Sequence, residues 1–152
     1  MTDQAGLHVE INGRPPTPEL LQAMALNSYW HFTAMQVRGG RVRGLGLHLA
    51  RLTAATRELL GADLDGDEVR RLIRLAQSRT SPDGSVRTHV FLPDAARRPA
   101  VMVTVRPPGE MPPEAQALTA VPYQRPVAHL KHSGGFQGYF RQRAEREGFD
   151  EI

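Results

Sequence analysis

Apolar and polar residues alternate with a period of two in some stretches of the chain and with a helical period in others, and the switches between them divide the sequence into elements. Leu7–Asn12 alternates as a strand does and is ended by Gly13-Arg14-Pro15-Pro16. Thr17-Pro18-Glu19 starts a short helix, with Thr17 as N-cap and Pro18 at the first helical position, ending near Asn27. Trp30–Arg38 reads as a strand, Gly39-Gly40 as a tight hairpin turn and Arg41–Leu45 as its partner strand.

The period then changes. From Leu47 to Leu60 a helix is predicted, because Leu45, Leu49, Leu52, Ala55, Leu59 and Leu60 recur at helical spacing and Gly61 is placed to end it. Asp65 and Glu68 form an acidic version of a capping box for a second helix running to about Gln77, with Val69, Leu72, Ile73 and Ala76 as its buried stripe. Ser81-Pro82-Asp83-Gly84 is a turn, and strands follow over Ser85–Leu92 and Ala100–Arg106. Pro107–Pro113 interrupts regular structure. Beyond it the pattern predicts a strand over Ala117–Tyr123, a polar stretch around Lys131, a helix from Phe136 to Glu147 closed by Gly148, and a strand opening at Phe149. Strands, two helices and then strands imply an α+β domain over residues 1–106, a proline-rich linker over 107–116, and the beginning of a second α/β domain over 117–152.

Composition narrows the chemistry. There is no cysteine, so disulfide frameworks and thiolate metal sites are excluded. No apolar run reaches the roughly 18–20 residues needed to span a bilayer, and Met1-Thr2-Asp3-Gln4 lacks the start of a signal peptide, so the expected location is the cytoplasm, away from any membrane. Net charge is +3, carried by 18 arginines against a single lysine. An amine that must lose its proton cannot be replaced by a guanidinium, which makes Lys131 the residue to explain. His129 and His132 flank it, but His-x-x-His in a loop without a nearby carboxylate is a weak metal signal, and no metal is expected. The arginines are spread through helices and loops with few interleaved aromatics, which does not suit a nucleic-acid partner.

Three segments taken together resemble class IV aminotransferases, the fold type IV pyridoxal-phosphate enzymes that include branched-chain and D-amino-acid aminotransferases and aminodeoxychorismate lyase. They are Phe32-Thr33-Ala34-Met35-Gln36-Val37-Arg38-Gly39-Gly40, then His48-Leu49-Ala50-Arg51-Leu52, and then Leu130-Lys131-His132 followed by Ala144 and Gly148-Phe149-Asp150-Glu151. Their order and spacing carry the resemblance over nearly the whole chain.

The resemblance implies a two-layer α/β sandwich of the D-amino-acid-aminotransferase type, with pyridoxal 5'-phosphate in the cleft between it and the second domain. Lys131 matches the Schiff-base lysine, which also serves as general base. Arg51 matches the arginine that binds the cofactor phosphate. Phe32, Arg87 and His89 match the substrate side, where Arg87 and His89 face the carboxylate. Trp30 stands where relatives often carry a glycine, so its bulk either narrows the site or removes activity. The implied reaction moves an amino group between an amino acid and a 2-oxo acid in a homodimer. Carbon–carbon cleavage of the aminodeoxychorismate lyase kind remains open, as does a non-catalytic remnant acting as an interaction module. Family members are roughly twice as long, so the chain is expected to be an N-terminal piece. The glutamate that pairs with the pyridine nitrogen would lie beyond Ile152.

Overall fold

Alternation along β2 (His31–Arg38) separates two faces: residues 31, 33, 35 and 37 are buried, while 32, 34, 36 and 38 are half-buried or exposed. The computed structural model describes residues 6–27, 29–95 and 97–152 and places this strand in an antiparallel five-stranded sheet. The other strands are β1 (His8–Ile11), β3 (Arg41–Val42), β4 (Gly84–Phe91) and β5 (Ala100–Arg106), in the order β1-β5-β4-β2-β3. Registry puts Phe32 opposite His89 and Ala34 opposite Arg87, so these side chains share one face.

The opposite face is covered by α2 (Leu45–Ala55) and α3 (Gly66–Ser78). Leu49, Leu52, Leu60, Val69, Leu72, Ile73 and Ala76 pack there on Met35, Val37, Val86, Val90, Val101, Val103 and Val105. Fully burying each large aliphatic side chain is worth about 1.5–3 kcal/mol, so this layer holds most of the apolar driving force. α1 (Pro18–Leu26) covers part of the far face, where Leu20 and Met24 meet Ile11, Phe91, Ala100 and Met102.

Local signals act as expected. Thr17 accepts from Leu20 N–H at 3.4 Å, and Asp65 caps α3 through the N–H groups of Asp67 and Glu68. The reciprocal half of that capping box is not made, because Glu68 pairs with Arg71 at 2.6 Å. The Gly39-Gly40 turn has both residues at positive φ (54° and 69°), which a two-residue hairpin of this twist demands.

Three expectations need correction. β3 is two residues long instead of spanning Arg41–Leu45, because Gly44 enters the left-handed region (φ 67°) and turns the chain directly into α2. The helix expected to run to Leu60 changes at Thr56 into a five-residue wider turn of π type, which Gly61 ends at φ 59°. Residues 117–123 do not form a strand. They make one parallel bridge, Leu118 to Glu151, supported by Asp150 N–H to Ala117 C=O at 2.8 Å and Thr119 N–H to Glu151 C=O at 3.2 Å. α4 (Gln137–Arg146) links the two halves of that bridge and buries Ala144. Among the described residues no helix is long and apolar enough to cross a membrane.

Candidate active site

β4 pairs with one edge of β2 over its length, whereas β3 covers only Val37 and Arg38 of the other. The open N-terminal end of that edge is filled by the Lys131 segment. Phe32 N–H donates to Lys131 C=O (3.2 Å), and Ser133 N–H donates to Trp30 C=O (2.9 Å). A single helical turn, Ala128–Leu130, leads into it, with Leu130 buried as its anchor. Lys131 itself adopts the left-handed conformation (φ 52°, ψ 47°), unusual for a residue with a side chain and costing about 1–2 kcal/mol. The edge hydrogen bonds hold it there, and its Nζ lies 5.4 Å from the centre of the Phe32 ring.

α2 supplies the second component. His48 and Arg51 are three residues apart and therefore share a helix face. Both reach Thr33, fully buried on β2: Arg51 donates to Thr33 Oγ1, and Thr33 Oγ1 lies 2.7 Å from His48 Nδ1. The hydroxyl accepts from Arg51 and keeps a second lone pair and its own proton, so it joins Arg51 to His48 whichever ring nitrogen of His48 is protonated. One helical turn further on, Thr56 donates to Leu52 C=O (2.8 Å) and so accepts from His31 Nε2 (2.9 Å). His31 is fully buried, and its titration falls to about 4, through burial first and the Arg51 charge second. It is a neutral strut.

The electrostatics are one-sided. Burial, then Arg51, Arg125 and Arg87, hold the Lys131 amine below the ordinary lysine range. Arg51 is lowered as well, by burial and then by Arg125, yet a guanidinium keeps its proton at neutral pH. No ion pair neutralises Arg51, Arg87, Arg125 or Lys131 among the described residues. The Nε atoms of Arg51 and Arg125 are buried without a hydrogen-bond partner. Buried donors left open beside an amine whose charged form is disfavoured describe a place built for an anion.

On the far face, Trp30, Phe32 and His89 form an aromatic wall with ring centres 5.0–6.0 Å apart. His89 is pushed down to about 4 by burial, then by Arg87 and His31, so it presents a neutral ring. Arg87, one residue pair along the sheet, is exposed.

The fold thus brings Lys131, Arg51, Phe32, Arg87 and His89 to one end of β2. Sequence reasoning missed Arg125, Thr33 and His31. Thr33 and His31 carried only the buried-face periodicity, and Arg125 had no signal among so many arginines. His129 is paired with Glu58 at 2.9 Å, while His132 bonds Pro126 C=O and Gly134 N–H. No group of three metal-ligating side chains exists among the described residues.

A model of the family described as amino-transferase class IV matches residues 30–152, which includes every site residue just described. The chain belongs to the class IV aminotransferase family. Among solved structures it is similar to 4-amino-4-deoxychorismate lyase from Pseudomonas aeruginosa, at 25% identity and a TM-score of 0.55, over 69% of this chain and 42% of that one. It is also similar to a hypothetical aminotransferase from Mycobacterium tuberculosis, in its apo form at 20% identity and a TM-score of 0.70 over 95% of this chain and 60% of that one. The PLP-bound form of that protein gives 19% identity and a TM-score of 0.70 over 93% and 59%. The mixed α/β sheet arrangement is therefore the fold of class IV aminotransferases, and the chain spans 42–60% of the length of these structures. No curated protein matches it.

Proposed function

We propose that this chain carries the lysine-bearing half of a pyridoxal-phosphate site and takes part in moving an amino group between an amino acid and a 2-oxo acid. The observation that carries the reading is the cationic cluster around Lys131: a half-buried amine among Arg51, Arg125 and Arg87 with no neutralising carboxylate among the described residues. Its donor set fits the cofactor. Arg51 and Arg125 each have a buried Nε free to bond phosphate oxygens, and the only lysine of the chain faces the same place. When bound, the cofactor supplies an aldehyde and an electron sink.

The remaining chemistry belongs to the protein. Burial, and then the surrounding arginines, disfavour the charged form of the Lys131 amine and so ease the loss of the proton that must leave before Nζ can bond the cofactor and later carry a proton as general base. That amine lies over the Phe32 ring, 5.4 Å from its centre. Thr33 fixes the direction of Arg51 from beneath. Arg87 presents a permanent charge to a substrate carboxylate, and His89, held neutral, completes the wall beside it. Trp30 narrows the same wall through its contacts with Phe32 and His89.

In this reading residues 1–106 form the substrate-side domain, 107–116 the linker and 117–152 the start of the cofactor domain, in a protein that works as a cytoplasmic homodimer. A second reading, carbon–carbon cleavage, draws on the 25% identity to the Pseudomonas aeruginosa lyase.

The test is covalent. Protein incubated with pyridoxal phosphate, reduced with borohydride and digested should carry a pyridoxyl group on the Lys131 peptide, and Lys131→Ala should carry none there. Labelling confined to the N-terminal amine, or equal labelling of the variant, overturns the assignment. Product analysis of the loaded protein with an amino acid and a 2-oxo acid then separates transfer from cleavage.

A further inference from the structure

The outer edge of β2 is paired at both ends and open between them. The Lys131 segment takes residues 30–32, and β3 takes Val37 and Arg38. Because Phe32 N–H points outward, the antiparallel alternation turns the backbone of Ala34 and Gln36 outward too, where neither bonds another backbone group among the described residues. A cleft of about 550 Å³ lies along this gap, lined by Ala34, Gln36, Arg38, Arg41, Arg43 and His48.

Its lining is rich in donors. Arg41 and Arg43 make no ion pair or side-chain hydrogen bond among the described residues. Arg38 is held in place by Gln36 Oε1 (3.1 Å) and Gly109 C=O (3.0 Å), which also straps the proline-rich segment to the sheet. His48 contributes the inner wall. With Nδ1 engaged by Thr33, its Nε2 has no partner among the described residues. Asp83, the acidic side chain at the neighbouring turn, is occupied by Gly39 N–H at 2.6 Å.

We propose that this cleft is a binding site for a small, multiply charged oxyanion, a di- or tricarboxylate or a phosphate monoester, distinct from the anion position at Arg51 and Lys131. Three guanidiniums can present paired donors to carboxylate or phosphate oxygens, and their mutual repulsion is relieved when two or three negative charges enter. The volume is that of a small-molecule pocket. No aromatic side chain lines it, so it lacks the stacking platforms that single-stranded nucleic acid uses. The site touches the candidate active site through one route: His48 shares Thr33 with Arg51. It does not depend on what binds at Lys131.

Amide-resolved NMR titrations of the purified protein with citrate and, separately, with inorganic phosphate test this. Saturable shifts centred on Ala34, Gln36, Arg38, Arg41 and Arg43 are expected. Affinity should fall at least tenfold in Arg41→Ala/Arg43→Ala and stay unchanged in Arg51→Gln. Arg41 and Arg43 are exposed and unpaired, so the double variant should keep its spectrum elsewhere. The probe that binds more tightly identifies the ligand as carboxylate or phosphate. Shifts centred on Leu130–Gly135 and lost in Arg51→Gln would mean that the anions go to the Lys131 cluster instead, and the proposal fails. It fails equally if neither probe saturates.

Discussion

Thr33→Val is the most informative single change, because it removes one buried oxygen and almost no volume. Thr33 is fully buried, and its hydroxyl joins Arg51 on one side to His48 on the other at 2.7 Å. A hydrogen bond from a charged donor is worth about 1.5–3 kcal/mol and a neutral one about 0.5–1.5 kcal/mol. Arg51 and His48 are only half-buried, so water recovers part of both, and the lower half of the summed range, roughly 2 kcal/mol, is expected. With a urea dependence of about 2 kcal/mol per M for a chain this size, the unfolding midpoint should fall by about 1 M at unchanged slope. Two further readouts separate the relay from a simple loss of stability. The His48 Nδ1 signal should shift in nitrogen-resolved NMR as its partner is lost, and Thr33→Ser should restore it even though the missing methyl keeps the protein weaker. A midpoint within 0.2 M of wild type, or a His48 signature unchanged in Thr33→Val, would refute the relay and with it the account of how Arg51 is aimed.

His31 and His89 both titrate near 4 in the folded state against 6.5 when free. The unfolded chain therefore binds more protons between those values, and stability should be complete above pH 6.5 and decline as pH falls towards 4. In urea titrations across that window His31→Gln should flatten the decline, and an equally steep loss in the variant would show that other groups cause it. Leu52, 1% exposed beneath the sheet, should cost about 2–5 kcal/mol as Leu52→Ala in thermal or urea unfolding, and a loss below 1 kcal/mol would contradict the packing described.

Much of this arrangement was legible in the chain because its causes are local. Strand and turn signals marked β2, β4 and β5; Thr17-Pro18 marked the start of α1; and the stripe Val69, Leu72, Ile73, Ala76 marked the buried face of α3. Lys131 stood out chemically, as the single amine among guanidiniums, and Arg51 through its place in His48–Leu52. What failed also failed for physical reasons. Residues 117–123 carry strand propensity, but a strand exists only where a partner takes its hydrogen bonds, and here Glu151 alone provides a bridge. The length of β3 depended on the backbone conformation of Gly44.

Which residues meet was decided by the tertiary structure alone. In the order β1-β5-β4-β2-β3 the two-residue β3 leaves most of one edge of β2 open, and that opening receives Lys131 and exposes Ala34 and Gln36. Arg125, 74 residues from Arg51, joins it only because the chain returns to that edge, and no local pattern could have singled it out among 18 arginines. The sequence by itself determined most of the elements and nominated the amine. Convergence of Lys131, Arg51, Arg125 and Arg87 into one unneutralised cluster is a long-range property, fixed by strand pairing across the sheet rather than by any spacing along the chain.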